Sequence, residues 1–176
     1  MDEHLLLRFP IVYRLFARGL SWLPVRSRIR RLLLARRVQR AYAAANRRDF
    51  DLVLLGWEVG AEYRPGAELI APDQDEVFVG RDGYLRMWRN WLGAFGDLQF
   101  EPEEILDFGD TFLVTAQQSG HGSGSGVAVS KPVFQLFNTC GGMVVLQRDN
   151  SYRRYRHRAP RSTVGARLRL HKLAMS

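Results

Sequence analysis

Asp149 is the residue best placed for chemistry, because it follows Arg148 near the end of the last predicted strand, residues 143–149. Side chains alternate along a strand, so Gln147 shares the face of Asp149 and is a candidate for substrate binding. A carboxylate at the base of an apolar pocket has a raised pKa and works as a general acid or base. The alternative is an aspartate that pairs at the strand end with a local arginine, Arg148 or Arg153.

His121 is the second candidate for proton transfer, since imidazole titrates near neutral pH and suits general-base work. Gln117, Ser119 and His121 share one strand face if the strand stays regular that far. Together with Gln135 on the next predicted strand, they would bind and orient a carbonyl or hydroxyl group. The alternative is that His121 lies exposed in the glycine- and serine-rich hairpin at residues 120–126.

Four aromatic residues are candidates for the walls of a pocket: Trp57, Tyr63, Trp88 and Trp91. Large rings of this kind suit a flat or polycyclic apolar ligand. The alternative is ordinary core packing, which is the simpler interpretation for Trp88.

Other classes of chemistry find no support in the sequence. It contains no metal-ligand spacing and no nucleophile elbow. Residues 120–126 are no phosphate loop, because they carry no lysine and do not lead from a strand into a helix. Cys140 is the single cysteine, which excludes a disulfide framework or an all-cysteine zinc site within one chain. We therefore expect neither a cofactor nor a metal ion.

The elements that must position these residues follow from the apolar periodicity and the turn residues. Pro10 and Pro24 mark the starts of two helices, and Asp49 or Asp51 is suited to cap a third, short helix. The loop at 65–75 is long enough to act as a lid. In chain order the predicted elements are helices at 10–20, 24–48 and 52–55, a strand at 57–63, a helix at 81–95, and strands at 98–107, 111–119, 127–138 and 143–149.

Both long N-terminal helices carry apolar stripes. At about 100° per residue, Val12, Tyr13, Phe16 and Leu20 share one side of the first helix, and arginines lie opposite. That side is suited to packing against the domain or a second subunit, or to resting on an anionic membrane surface. On the second helix, a stripe between residues 34 and 45 predicts packing against the sheet.

The net charge of +8 conceals three segments of alternating sign. Residues 1–48 carry 12 Lys or Arg and 2 Asp or Glu, residues 49–147 carry 5 and 15, and residues 148–176 carry 9 and 1. Basic ends attract anionic surfaces, and they also attract the protein's own acidic middle. We expect a peripheral contact with an anionic membrane rather than specific binding of nucleic acid.

The ends of the chain also bear on location. The start is acidic and arginines interrupt its apolar run, so neither a signal peptide nor a membrane-spanning helix is expected. This pattern favours a cytoplasmic protein. The expected organisation is a basic amphipathic extension at 1–27, a folded domain at 28–152 and a basic, disordered tail at 153–176.

Several short motifs occur in an informative order: Tyr42–Asp51, Gly80–Gly83 followed by Trp88 and Trp91, Phe108–Asp110, Gly120–Gly126 and Gly142–Val145. Over about residues 36–150, their order and spacing resemble the SnoaL-like branch of the nuclear-transport-factor-2-like (NTF2-like) superfamily. The resemblance implies an α+β barrel, in which a cone-shaped, curved antiparallel sheet is wrapped by N-terminal helices. It also implies an apolar pocket that takes a small apolar or aromatic ligand, and a homodimer.

The superfamily includes polyketide cyclases, ketosteroid isomerase, limonene-epoxide hydrolase, dehydratases and noncatalytic binders, so the fold alone does not fix the function. In the epoxide-hydrolase branch, a pocket acid has an Arg-Asp context similar to Arg148 and Asp149. That branch also needs an Arg and a second Asp on the second long strand, which here reads Thr-Ala-Gln-Gln-Ser at 115–119. The sequence therefore predicts a cofactor-free isomerase, cyclase or dehydratase acting on an apolar carbonyl or hydroxyl compound. The alternative is a noncatalytic ligand-binding or dimeric assembly module.

Overall fold

The computed structural model describes residues 8–65, 76–150 and 166–169. Apart from Pro65, the predicted lid at 65–75 lies outside the described residues. In chain order the helices are α1 (Pro10–Trp22), α2 (Arg28–Asn46), α3 (Phe50–Leu54) and α4 (Gly80–Ala94), and the strands are β1 (Trp57–Arg64), β2 (Phe78–Val79), β3 (Gln99–Asp107), β4 (Thr111–His121), β5 (Ala128–Cys140), β6 (Met143–Asn150) and β7 (Ala166–Arg169).

All seven of these strands join one curved sheet in the order β2-β1-β6-β5-β4-β3-β7. Neighbouring strands are antiparallel except β1 and β6, which pair in parallel. The register shifts after Trp57, Pro102 and Asn138, and irregularities of this kind increase the local bend and twist of a sheet. The predicted α+β fold with a curved sheet and covering helices is confirmed, although one strand pair is parallel.

Strand β7 contradicts part of the prediction that residues 153–176 are disordered. Residues 166–169 pair antiparallel with Glu104–Asp107 of β3. An edge strand recruits a partner through its backbone N–H and C=O groups, so this pairing needs no apolar periodicity in the added segment. The remainder of the predicted tail lies outside the described residues.

Local capping explains where the helices begin. Pro10 occupies the first turn of α1, where its missing N–H is not needed. The side chain of Ser27 accepts a hydrogen bond from the Arg30 N–H at 3.4 Å and starts α2. Asp49 Oδ1 accepts one from the Leu52 N–H at 3.2 Å and starts α3, so Asp49 is the cap of that helix.

The apolar core lies between the helices and the sheet. Leu34, Val38, Tyr42 and Ala45 of α2 are buried in it, which confirms the stripe predicted between residues 34 and 45. Aromatic rings from β1, α4 and β3 fill much of the remaining space. This packing fixes the position of α2 over the strands that carry the candidate site.

Helix α1 packs on the protein's own domain through most of its predicted apolar side. Ala17 and Leu20 are buried, and Tyr13 and Phe16 are half-buried, whereas Val12 is exposed. Of the predicted roles for that side, packing against the domain is the one the structure contains. None of the described helices combines the length and the apolar composition needed to cross a membrane.

A buried ion pair that sequence analysis did not identify joins α2 to β3. Arg30 Nε donates to Asp107 Oδ2 at 2.7 Å, and Arg30 Nη2 donates to Asp107 Oδ1 at 3.0 Å. Arg30 Nη1 also donates to the carbonyl oxygens of Leu20 and Leu23 at the end of α1. One guanidinium group therefore connects three elements.

Candidate active site

Strand pairing brings the polar residues of the site together. Asp149 and Gln147 lie on the same face of β6, as predicted from strand alternation. The register places Gln135 of β5 opposite Asp149, and Tyr63 of β1 opposite Gln147. Since β1 and β5 flank β6, Asp149 has a polar neighbour on each side.

Asp149 is buried, with 3% of its surface exposed, and its hydrogen-bond donors are uncharged. The Tyr63 hydroxyl donates to Asp149 Oδ2 at 2.6 Å, and Gln147 Nε2 donates to Oδ1 at 2.9 Å. Gln135 Nε2 lies 3.1 and 3.2 Å from the two carboxylate oxygens. The Tyr42 hydroxyl donates to Gln135 Oε1 and thereby orients the Gln135 amide towards the acid.

These surroundings change the acidity of the site. Burial raises the pKa of Asp149 to about 6, and the hydrogen bonds from Gln147, Tyr63 and Gln135 lower it by less. Burial, and then the charge of Asp149, raise the pKa values of Tyr42 and Tyr63 well above the ordinary value. The two tyrosines therefore stay protonated donors at pH values where Asp149 changes its charge.

A cavity of about 80 Å³ adjoins Asp149. The polar part of its lining is formed by Tyr42, Tyr63, Gln135, Gln147 and Asp149. The predicted aromatic residues Trp57, Trp88 and Trp91 line it too, joined by Tyr84, Met87 and Phe100. The three tryptophans and Tyr63 also belong to the packed core, so core packing is shown for them, and their contact with a ligand stays a prediction.

The structure does not bring the second predicted proton carrier into this cavity. His121 is exposed at the end of β4, where its Nδ1 lies 2.6 Å from Asp97 Oδ2. Gln117 donates to Ser130 Oγ at 2.8 Å, and neither Gln117 nor Ser119 lines the cavity. Alternation along β4 places these odd-numbered residues on the face opposite to the one that faces the core. Their predicted role in orienting a substrate at Asp149 therefore has no geometric basis.

Sequence analysis did not identify Tyr42 as a site residue, nor Tyr84, Met87 and Phe100 of the cavity lining. The sequence placed Tyr42 in an apolar stripe and in a family motif, and not in the site. Its contact with Gln135 spans 93 positions of the chain, and no pattern in a single sequence encodes that distance. Within residues 8–65 and 76–150, no group of three or more His, Cys, Asp or Glu side chains is arranged to hold a metal ion.

Comparison with solved structures shows the NTF2-like fold. An NTF2-like protein of unknown function from Burkholderia pseudomallei has a TM-score of 0.59 at 17% identity, covering 65% of this chain and 86% of that one. TerC, co-crystallised with polyporic acid, has a TM-score of 0.60 at 16% identity, covering 69% and 93%. A candidate SnoaL-like polyketide cyclase from Jannaschia has a TM-score of 0.56 at 19% identity, covering 65% and 81%.

The sequence itself identifies the family. The SnoaL-like domain matches residues 38–147, which is more than half of the chain, and the protein belongs to this family. No curated protein matches the sequence. The resemblance in short motifs is thus confirmed at the level of the family and the fold.

Proposed function

We propose that this protein is a SnoaL-like enzyme that performs cofactor-free acid/base chemistry on a small apolar carbonyl or hydroxyl compound. Isomerisation, cyclisation and dehydration are the reactions in this class. One observation carries the proposal: Asp149 lines an aromatic cavity, is held by uncharged donors, and has its pKa raised to about 6. An acid with that pKa is present in both protonation states near neutral pH, as proton transfer requires.

The neighbouring residues support distinct roles. Ionised Asp149 would accept a proton from a carbon next to a carbonyl group, or from a hydroxyl group. The Tyr63 hydroxyl has one hydrogen, which it donates to Asp149 while that acid is ionised. Once Asp149 has taken the proton, this hydroxyl would turn to the substrate oxygen and stabilise the negative charge that develops there. Gln135, oriented by Tyr42, would hold the carboxylate in position. Aromatic walls suit a flat ring, and the small cavity favours a compact one.

A test of this proposal is proton exchange of simple ketones. Deuterium incorporation at the carbons next to the carbonyl of cyclohexanone and 2-tetralone would be followed by NMR in D₂O. We expect the wild-type protein to accelerate exchange, and Asp149→Asn to reduce the rate by about 100-fold or more, since general-base catalysis contributes that much. His121→Ala is the matched control and should exchange at the wild-type rate. Equal rates for wild type, Asp149→Asn and buffer would contradict the proposal.

We also propose that α1 contacts an anionic lipid surface, because the outer face of this helix is suited to such a contact. Ile11, Leu15 and Trp22 are 72%, 66% and 77% exposed. At helical spacing they share one face with Arg18, whose guanidinium lies 5.7 Å from the Trp22 ring centre. Helix α1 contains no acidic residue. Two copies joined through this face would bring arginines together without counter-charges, whereas anionic lipids supply them.

Vesicle co-sedimentation tests the lipid contact. We expect binding to vesicles of phosphatidylserine and phosphatidylcholine, and weaker binding to vesicles of phosphatidylcholine alone. Binding to the anionic vesicles should decrease as the salt concentration rises. Leu15→Gln with Trp22→Gln should reduce binding, while Val59→Gln with Val127→Gln, also exposed but outside α1, should not. Equal binding by both double variants would exclude α1 as the contact. A cytoplasmic location and a homodimer stay predictions.

A further inference from the structure

A second cavity, of about 290 Å³, lies next to the Asp149 cavity. Its lining includes Tyr13 and Phe16 of α1, Leu33 of α2, and Phe112 and Val144 of the sheet. The two cavities share lining residues, among them Tyr42, Val53, Trp57 and Phe137. We call the larger one the outer chamber. At about 290 Å³, the outer chamber lies close to the lower end of the size range of small-molecule sites, about 300–1,000 Å³.

The outer chamber is built partly by residues that precede the SnoaL-like match, which begins at residue 38. Helix α1 is seated directly on the β5–β6 turn, where a Cβ on Gly142 would lie 2.1 Å from the Ala17 carbonyl oxygen. Arg37 donates to the carbonyl oxygens of Gly142 and Gly56 at 2.6 and 3.3 Å, and its guanidinium lies 5.5 Å from the Tyr13 ring centre. These contacts hold α1, α2 and the turn together around a defined space.

The rim of the outer chamber is cationic. Arg36 and Arg40 lie one turn apart on α2, are exposed, and line the chamber. In the part of the chain that the structure describes, neither forms an ion pair, and no carboxylate lines the chamber. Arg37, by contrast, is occupied by backbone carbonyl groups. A guanidinium pair of this kind matches a carboxylate, with which arginine forms charge-assisted hydrogen bonds.

We propose that the outer chamber binds an elongated apolar compound that carries one carboxylate group. The apolar part lies among Tyr13, Phe16, Leu33 and Phe112, and the carboxylate contacts Arg36 and Arg40. Because the chamber adjoins the Asp149 cavity, the far end of such a compound points towards the acid. Binding at the outer chamber does not depend on the chemistry proposed for Asp149.

Calorimetric titration with decanoate and with decan-1-ol tests this site, since the two differ in the charged end alone. We expect Arg36→Gln with Arg40→Gln to weaken decanoate binding by about tenfold or more, and to leave decan-1-ol binding unchanged. The matched control is Arg28→Gln with Arg89→Gln, which removes the same charge from exposed residues outside the chamber and should bind decanoate as wild type does.

Filling the chamber gives an independent test. Leu33→Trp should weaken the binding of decanoate and of decan-1-ol to the same extent. A melting curve verifies that this variant folds. If it does not fold, the comparison of the two arginine double variants tests the site. No decanoate binding by wild type, or equal losses for the two arginine pairs, would overturn the site. Wild-type protein that binds decanoate but exchanges no ketone proton would remove the proposed function and leave this site standing.

Discussion

Two buried aspartates in this protein have opposite surroundings. Asp107 has 0% of its surface exposed and accepts two hydrogen bonds from the guanidinium of Arg30. Asp149 has 3% exposed and accepts hydrogen bonds from a tyrosine and two glutamines. The two carboxylates are therefore buried to a similar extent, and they differ in the charge of their hydrogen-bond donors.

The comparison separates a structural carboxylate from a reactive one. At Asp107, the attraction between opposite charges offsets the loss of hydration, and the pair links α1, α2 and β3. At Asp149, neutral donors offset only part of that loss, which is why its pKa rises to about 6. A buried acid that lacks a cation can exchange protons near neutral pH, and it also destabilises the fold when it is ionised.

The largest effect on stability is expected from breaking the ion pair between Arg30 and Asp107. Arg30→Met leaves Asp107 buried without its counter-charge, and this should lower the free energy of unfolding by about 3–5 kcal/mol. Urea unfolding at pH 7, followed by circular dichroism, measures the change. Arg26→Met, an exposed neighbour on the chain, is the control and should remain close to wild type. If Arg30→Met lowers the free energy of unfolding by less than about 1 kcal/mol, the ion pair contributes little to stability.

The next effect is the pH dependence caused by Asp149. Its folded pKa of about 6 lies above the usual value of 3.8, so the stability it contributes is present below about pH 4 and is lost as the pH rises through 6. That loss is about 3 kcal/mol when complete. In urea unfolding, the free energy of unfolding of Asp149→Asn relative to wild type should therefore increase by about this amount between pH 4 and pH 7. A difference between the two proteins that does not vary with pH would refute the raised pKa.

The smallest effect is expected from Tyr63→Phe. The change removes a donor that lowers the pKa of Asp149, so the pKa should move further upward while Gln135 and Gln147 still hold the carboxylate. Carbon-13 NMR of the aspartate carboxyl groups follows the titration directly, and stability at pH 7 should fall by about 1 kcal/mol. Thr115→Val, a half-buried hydroxyl deletion on β4, should leave the titration unchanged. A downward shift in Tyr63→Phe would show that the hydroxyl does not bind the ionised acid.

Sequence patterns predicted the part of the site that lies along one strand. The alternation of β6 placed Asp149 and Gln147 on a single face, and the helical period placed the stripe at 34–45 in the core. Patterns of this kind repeat every two or four residues and are visible in one sequence. They also narrowed the cap of the third helix to Asp49 or Asp51, because a cap acts on the residues that follow it, and the structure shows that it is Asp49.

Contacts between distant segments were not predictable in the same way. Arg30 and Asp107 are 77 positions apart, and Tyr42 and Gln135 are 93 apart. The exposed stripe of Ile11, Leu15 and Trp22 was not predicted, because the apolar side of α1 was assigned to Val12, Tyr13, Phe16 and Leu20 alone. For His121 the exposed alternative is the one that the structure contains. Its two placements stayed open because alternation orders the faces of a strand but does not tell which face meets the core.

The parallel pairing of β1 with β6 has a consequence for the folding kinetics. It joins the first long strand of the domain to the last, and the Tyr63–Asp149 hydrogen bond closes a loop of 86 positions. Closing a long loop costs entropy before any contact compensates it, so pairings of high contact order form late. On the ribosome, β6 must leave the exit tunnel before Tyr63 has a carboxylate to bind. The candidate acid and its donors therefore come together only in a nearly complete domain, and a partly folded chain has no working site.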